Sequence, residues 1–373
     1  MKILIYQPRL SYFTGGGEIY PLQTAKFFAK LGHDVTILTT RAPFLTPSAY
    51  FLNFIKENPA VKIDYLDLDD NYKKIYDEPA GINWKRWDNE SMWVARPAYE
   101  YMTKHKFDVV TIHCIIDRLA VPFGQDHVLH LHGTPSELNY VCKLILEEET
   151  HYLAVSEKVA SKWIELGAYP HIKISTNAID DNVFYPNPQI KKDIDFLFVG
   201  RLIPIKGIQF ILQALKIIKD THNITPNFTI VGDGPFKEEL KEITKQLNLE
   251  NQVSFSGLVS QEDLIKSYQR AKVAVLPSFD KEGIMSTLLE ASSCKVPCIT
   301  TKGTSMEEFA KNDENALLVN PEDALDLSEK MYELFTNQEL ATKISTNAYN
   351  EVMKKYTWLA KAKELIELYK EVK

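Results

Sequence analysis

The run Glu282-Gly-Ile-Met-Ser-Thr-Leu-Leu-Glu290 sets two carboxylates seven residues apart, directly after the strand-and-turn pattern Val273-Ala-Val-Leu-Pro-Ser278. Gly283 lets the main chain approach a ligand closely. The residues after it open a helix whose first N–H groups lack intrahelical partners and can hold an anion such as a diphosphate. Glu290, two turns further in, is an acceptor suited to a pair of ribose hydroxyls. A second run, Phe198-Val-Gly-Arg-Leu-Ile-Pro-Ile-Lys-Gly207, carries Arg201 and Lys206 just past another apolar stretch. A guanidinium and an ammonium are groups suited to holding an anion. Each pattern alone is also compatible with a solvated helix face or two surface cations, so the weight rests on their joint setting.

The elements that position these residues follow from periodicity. Short apolar runs bounded by Gly, Pro or Asp alternate with stretches of helical period, the signature of parallel βαβ units. Strands are expected at 2–6, 34–39, 108–112, 128–131, 152–155 and 172–175, then at 196–199, 227–231, 253–256, 273–276, 297–300 and 316–319. The pattern therefore occurs twice, and 373 residues are more than one core usually serves. Asp180-Asp-Asn-Val-Phe-Tyr-Pro-Asn-Pro-Gln-Ile-Lys-Lys192 continues neither helix nor central strand and is expected to link the halves. Ligands of doubly wound domains bind beyond the carboxyl ends of the strands.

Composition bounds the function. With 45% hydrophobic and 25% charged residues and a net charge of −7, the chain is a globular protein without the basic excess of a nucleic-acid coat. No segment reaches the roughly 18 uninterrupted apolar residues of a spanning helix, and the opening apolar run is too short for a signal-peptide core. A cytoplasmic location is expected, with at most a peripheral contact on the inner face of a membrane. Cys114, Cys142, Cys294 and Cys298 form no CxxC pair and are expected to be reduced, buried thiols. The acidic run Asp67-Leu-Asp69-Asp70 superficially matches a metal-binding DxD but reads as a surface turn.

Together these motifs resemble the retaining glycosyltransferases of family 4, with the GT-B fold, along nearly the whole chain. The resemblance implies two Rossmann-like doubly wound α/β domains facing across a cleft. The first would be residues 1–180 plus a terminal helix at about 357–373, signalled by Tyr356-Thr-Trp-Leu359, and the second residues 181–356. It implies that Arg201 and Lys206 grip the donor phosphates and that Glu282 orients sugar hydroxyls. Gly283, Ile284, Met285 and Ser286 would contact the donor, with Glu290 on its ribose. Ile230-Val-Gly-Asp-Gly-Pro235 is similar to the loop where Gly232 lets the nucleotide approach, and Val253-Ser-Phe-Ser-Gly-Leu258 to the segment that reads the base, making Leu258 a contact there.

In the first half, Gly15-Gly-Gly-Glu18 is similar to the family's opening motif, in which Gly15, Gly16 and Gly17 would form an anion-holding nest. Tyr20 stands at the third glycine position of a dinucleotide fingerprint, which argues against a nicotinamide oxidoreductase. Leu131-His-Gly-Thr134 is similar to the active-site histidine segment and places His132 near the transferred sugar. His130 is expected on the opposite face of its strand, as packing, while His113 and Glu18 are candidates for touching the acceptor. The aromatic and basic residues of segment 44–106, among them Phe51, Phe54, Trp84, Trp87, Trp93, Tyr99 and Arg96, are a candidate acceptor wall.

The implied activity moves a sugar from a nucleotide-diphosphate donor, a UDP-sugar before a GDP-sugar, to a glycan or lipid-linked hydroxyl in surface polysaccharide or glycoconjugate synthesis. No cofactor and no metal is expected. Ile284 and Met285 depart from the family's usual aromatic and glycine, where the donor sugar is sensed. A GT-B sugar-nucleotide epimerase would share the fold but act without an acceptor, and a non-catalytic binding protein would release no nucleotide.

Overall fold

The computed structural model describes residues 1–14, 16–77, 83–133, 138, 140–148, 151–169, 171–279 and 286–372, with the side chains of 16, 74–77, 83–87, 140 and 147–148 left aside. The chain forms two compact units, Met1–Thr176 with Trp358–Lys373, and Asn177–Thr357.

The first unit is built on a seven-stranded sheet of β1 (Lys2–Tyr6), β2 (Asp34–Arg41), β3 (Lys62–Asp67), β4 (Val109–Ile112), β5 (His127–Leu131), β6 (Tyr152–Ala154) and β7 (Lys173–Ile174). Its order is β3-β2-β1-β4-β5-β6-β7, and every pairing is parallel. β1 reads as an uninterrupted apolar run because both its faces are covered, with Ile3, Leu4, Ile5 and Tyr6 fully buried. β3 is absent from the sequence reading. Its Lys-Ile-Asp-Tyr-Leu-Asp alternates charge with apolarity, as an edge strand does, and only Leu66 of it is buried. Asp67 ends this strand, exposed and ion-paired to Arg41 at 2.6 Å, and Asp69 caps the next helix through Tyr72 N. The DxD run is thus local structure. The helix Trp358–Lys370 belongs to this unit: Trp358 packs edge-on against Tyr20, and Tyr369 against Phe28.

The second unit carries β8 (Ile194–Val199), β9 (Phe228–Val231), β10 (Val253–Gly257), β11 (Ala271–Leu276), β12 (Cys298–Thr301) and β13 (Leu317–Val319). The order is β10-β9-β8-β11-β12-β13, again all parallel. Its core is its own, with Phe196, Leu197, Phe198, Leu212 and Leu215 at its centre. The proline-containing segment after residue 180 is not a free tether, because Ile179 and Phe184 are buried in that core. Each sheet reverses its strand order once, between β1 and β4 and between β8 and β11. Loops leave a crevice at such a switch point, and that is where doubly wound sheets bind ligands.

Candidate functional site

In the second unit, the switch point gathers the loops after β8 and β11. Gly200 ends β8 with φ 156°, and Arg201 follows it, exposed and with no hydrogen bond or ion pair among the described residues. The chain then makes a 3₁₀ turn at Pro204–Lys206 that closes on Gly207, whose φ of 73° is left-handed. A Cβ on Gly207 would stand 2.3 Å from the Pro277 carbonyl oxygen, so glycine is required where the β8 loop passes under the β11 loop. Lys206 is buried, and its Nζ donates to Ser278 Oγ at 3.5 Å, while Ser278 Oγ donates to the Ile205 carbonyl at 3.2 Å. The ammonium is thereby held across the switch point, and the Arg201 guanidinium on the same loop is left to solvent.

Gly232, after β9, is held still more tightly. A Cβ there would lie 1.9 Å from the Gly200 carbonyl oxygen, and one on Gly234 would lie 2.3 Å from that of Leu202. The two glycines let the β9 loop lie directly against the β8 loop. Leu258 follows Gly257 at the end of β10 and is 82% exposed, an apolar side chain standing open beside the same edge.

Ser286 begins the helix Ser286–Ser293, and Glu290 lies on its second turn. Burial pushes the Glu290 carboxyl up, and the Tyr268 hydroxyl, donating to Oε2 at 2.8 Å, and the Ser286 hydroxyl partly offset that rise. Tyr268 is fully buried on the helix Gln261–Arg270. It was not legible as a site residue because an aromatic at helical spacing reads as core. Glu282, Gly283, Ile284 and Met285 lie outside the described residues.

In the first unit, Gly16 and Gly17 open the helix Gly16–Lys30; Gly15 lies outside the described residues. Gly16 and Gly17 are helical, and the nest expected over Gly15–Gly17 depends also on Gly15, outside the described residues. The first turn of that helix presents N–H groups without intrahelical partners. Glu18 on that turn is buried.

Three histidines stand together at the carboxyl ends of β4 and β5. Their rings are nearly parallel, with centroids 4.9 Å apart for His113 and His130, 5.2 Å for His113 and His132, and 6.2 Å for His130 and His132. His130 therefore lies on the same face as His132, not the opposite one. Strand side chains repeat with period two, so positions two apart must share a face. His130 packs all the same, buried with its Nε2 2.9 Å from Tyr369 Oη. His113 Nδ1 lies 2.9 Å from His132 Nε2, and His113 Nε2 lies 3.3 Å from Thr111 Oγ1. Burial depresses all three imidazoles, taking His132 down to about 4, and the neighbouring rings add to the effect on His113 and His130. Tyr20 presents its ring edge to His132 at 5.0 Å and its hydroxyl to Ser175 at 3.3 Å, a role that glycine in its place would not fill.

A sequence model described as Glycosyltransferase Family 4 matches residues 14–183, and one described as Glycosyl transferases group 1 matches residues 181–351. Together they span both units. The chain belongs to glycosyltransferase family 4. An uncharacterised glycosyltransferase of Methanocaldococcus jannaschii is 31% identical over 47% of this chain, a match that spans only 44% of that relative. The N-acetyl-alpha-D-glucosaminyl L-malate synthase of Bacillus anthracis is 23% identical over 92% of this chain and 90% of its own length. Among solved structures, Anabaena HepE in complex with UDP and glucose superposes with a TM-score of 0.74 at 18% identity, covering 100% of both chains. Sucrose-phosphate synthase from Thermosynechococcus elongatus gives 0.76 at 18% identity, covering 100% of this chain and 98% of its own. These likenesses place the fold of this family 4 member in the GT-B class.

Cys142, Cys294 and Cys298 are buried free thiols, whereas Cys114 is only half-buried. Phe51 and Phe54 of the expected acceptor wall are core residues, while Trp93 and Tyr99 are 41% and 45% exposed on the helix Asn83–Lys104. No described helix is long and apolar enough to cross a membrane.

Proposed function

We propose that this family 4 glycosyltransferase moves a sugar from a nucleoside diphosphate donor to a hydroxyl of a glycan or lipid-linked acceptor, retaining the anomeric configuration and using no metal. The observation that carries this reading is the pair of cations on the β8 loop at the switch point, Arg201 open to solvent and Lys206 locked to Ser278. Aimed at a leaving diphosphate, they supply the charge stabilisation that a metal supplies elsewhere. Glu290, held by Tyr268, accepts from the ribose hydroxyls, and the exposed Leu258 offers an apolar contact to the base. The glycines at 200, 207, 232 and 234 bring main chain close enough to line the nucleotide.

A UDP-sugar is the preferred donor and a GDP-sugar the second. Support comes from HepE, whose structure holds UDP and glucose. In the retaining scheme of the family, the acceptor hydroxyl attacks from the face the phosphate leaves, and a phosphate oxygen takes its proton. Glu282 orients the sugar hydroxyls and His132 holds the sugar. Trp93 and Tyr99 offer faces for stacking an acceptor sugar, beside the basic Arg96. A role in surface polysaccharide assembly, in the cytoplasm and against the membrane's inner face, fits a relative from Escherichia coli assigned putatively to colanic acid biosynthesis.

The test is the thermal shift produced by UDP, GDP, ADP and their common sugar conjugates, since a ligand that binds only the folded state raises its stability. A shift confined to one nucleotide series and lost in Arg201→Ala is expected; no shift with any of them sinks the reading. With the donor known, turnover should persist in excess chelator, and a chelator-dependent loss restored by a divalent cation would reverse the metal-free part.

A further inference from the structure

The histidine stack fixes more than the position of His132, because the protons along it can be accounted for. Thr111 is buried in β4, and among the described residues the one hydrogen-bond partner of its hydroxyl is His113 Nε2. Were this hydroxyl only to accept, its own proton would be buried without a partner, a cost folded proteins avoid. The Thr111 O–H therefore donates, and Nε2 of His113 is the bare nitrogen. A neutral imidazole carries its proton on the other nitrogen, so His113 Nδ1–H donates to His132 Nε2, 2.9 Å away. The same rule then puts the His132 proton on Nδ1, a nitrogen with no partner among the described residues. Charging any one ring would place a cation in a buried stack against two further imidazoles, so neutrality holds along the chain.

We propose that Thr111 and His113 are positioning residues that lock His132 as its Nδ1–H tautomer, so that His132 offers the donor's sugar a hydrogen-bond donor and not a base. This rests on the reading above that His132 faces that sugar. It assigns the sugar side a lone-pair oxygen opposite Nδ1, and it leaves the acceptor's proton to the departing phosphate.

The tautomers are read directly by long-range ¹H–¹⁵N correlation on the full chain labelled at histidine, with His113→Phe and His132→Asn assigning the signals. At pH 7, His113 and His132 should each show a protonated Nδ1 and a bare Nε2. Thr111→Val should release the chain, moving the His132 signals toward the Nε2–H form, while Thr111→Ser, which keeps the hydroxyl, should restore the native pattern. A native His132 protonated at Nε2, or a Thr111→Val spectrum identical to the native one, overturns the relay whatever the enzyme's substrate is. Addition of UDP-glucose should shift the His132 Nδ1–H signal without loss of its proton. A fixed tautomer with no response, in a protein that UDP-glucose stabilises, overturns the placement of His132 on the sugar and leaves the nucleotide site standing.

Discussion

Arg201 and Lys206 are five residues apart yet differ in what holds them, and the difference separates stability from catalysis. Arg201 is exposed and without partners among the described residues, so Arg201→Ala should leave unfolding free energy within about 0.5 kcal/mol of native. Its loss should nonetheless cost about 10²–10³ in kcat if it stabilises the leaving diphosphate, the scale for removing one preorganised charge partner. Urea denaturation and nucleotide release measured on one preparation decide the matter: activity falling only in step with stability would remove Arg201 from the reaction. Both cations were legible because a strand end, a glycine and two basic residues at fixed spacing make a local pattern. Tyr268 and Thr111 were not legible. Their partners Glu290 and His113 gain meaning only once the sheet has placed them, and a buried hydroxyl carries no signal until its acceptor is known. His130 shares the face of His132 because positions two apart on a strand lie on one side of the sheet, against the expectation that it would point away.

At the scale of elements, strands buried on both faces announced themselves as apolar runs, and twelve of the thirteen strands among the described residues were expected close to where they lie. β3 escaped because an edge strand is written in alternating charge, which also writes a loop or a helix surface. Loop glycines are recognisable in sequence, but their necessity is not, and here two of them differ sharply. At Gly232 a methyl group would stand 1.9 Å from a main-chain oxygen at φ 138°, so Gly232→Ala forces the β8 and β9 loops apart. It should cost more than about 3 kcal/mol, the range reserved for strain that cannot relax. At Gly257 nothing lies within 4 Å, and only the left-handed φ of 68° opposes a side chain. Gly257→Ala should cost about 1–2 kcal/mol. Equilibrium unfolding in urea checks the pair, and equal costs would show that the loop contact is not rigid.

Across the whole molecule, titratable groups with shifted affinities are distributed unevenly between the two units, and the signs can be worked out. His113, His130 and His132 all belong to the first unit and are held neutral, so each binds a proton in the unfolded chain below pH 6.5 that it refuses when folded. Stability is present above that pH and is lost as the pH falls toward the folded values, about 2 kcal/mol at pH 5 for His132, whose folded value is about 4. Asp117 works the other way. It is fully buried, and desolvation, offset by Arg9 and reinforced by Glu90 and Asp88, raises its carboxyl to about 6. The folded form keeps a proton that the unfolded chain has released, so acidification from pH 7 to 5 returns about 1 kcal/mol. In the second unit Glu290 is likewise raised and also favours mild acid. The first unit should thus lose opening free energy between pH 7 and pH 5 relative to the second. Native-state hydrogen exchange, corrected for intrinsic rates, should show protection falling in β1, β4 and β5 while β8 and β11 hold theirs. Asp117→Asn should steepen that fall by removing the opposing term. If the two sheets lose protection in parallel, or if the substitution leaves the slope unchanged, these buried groups do not govern the acid response.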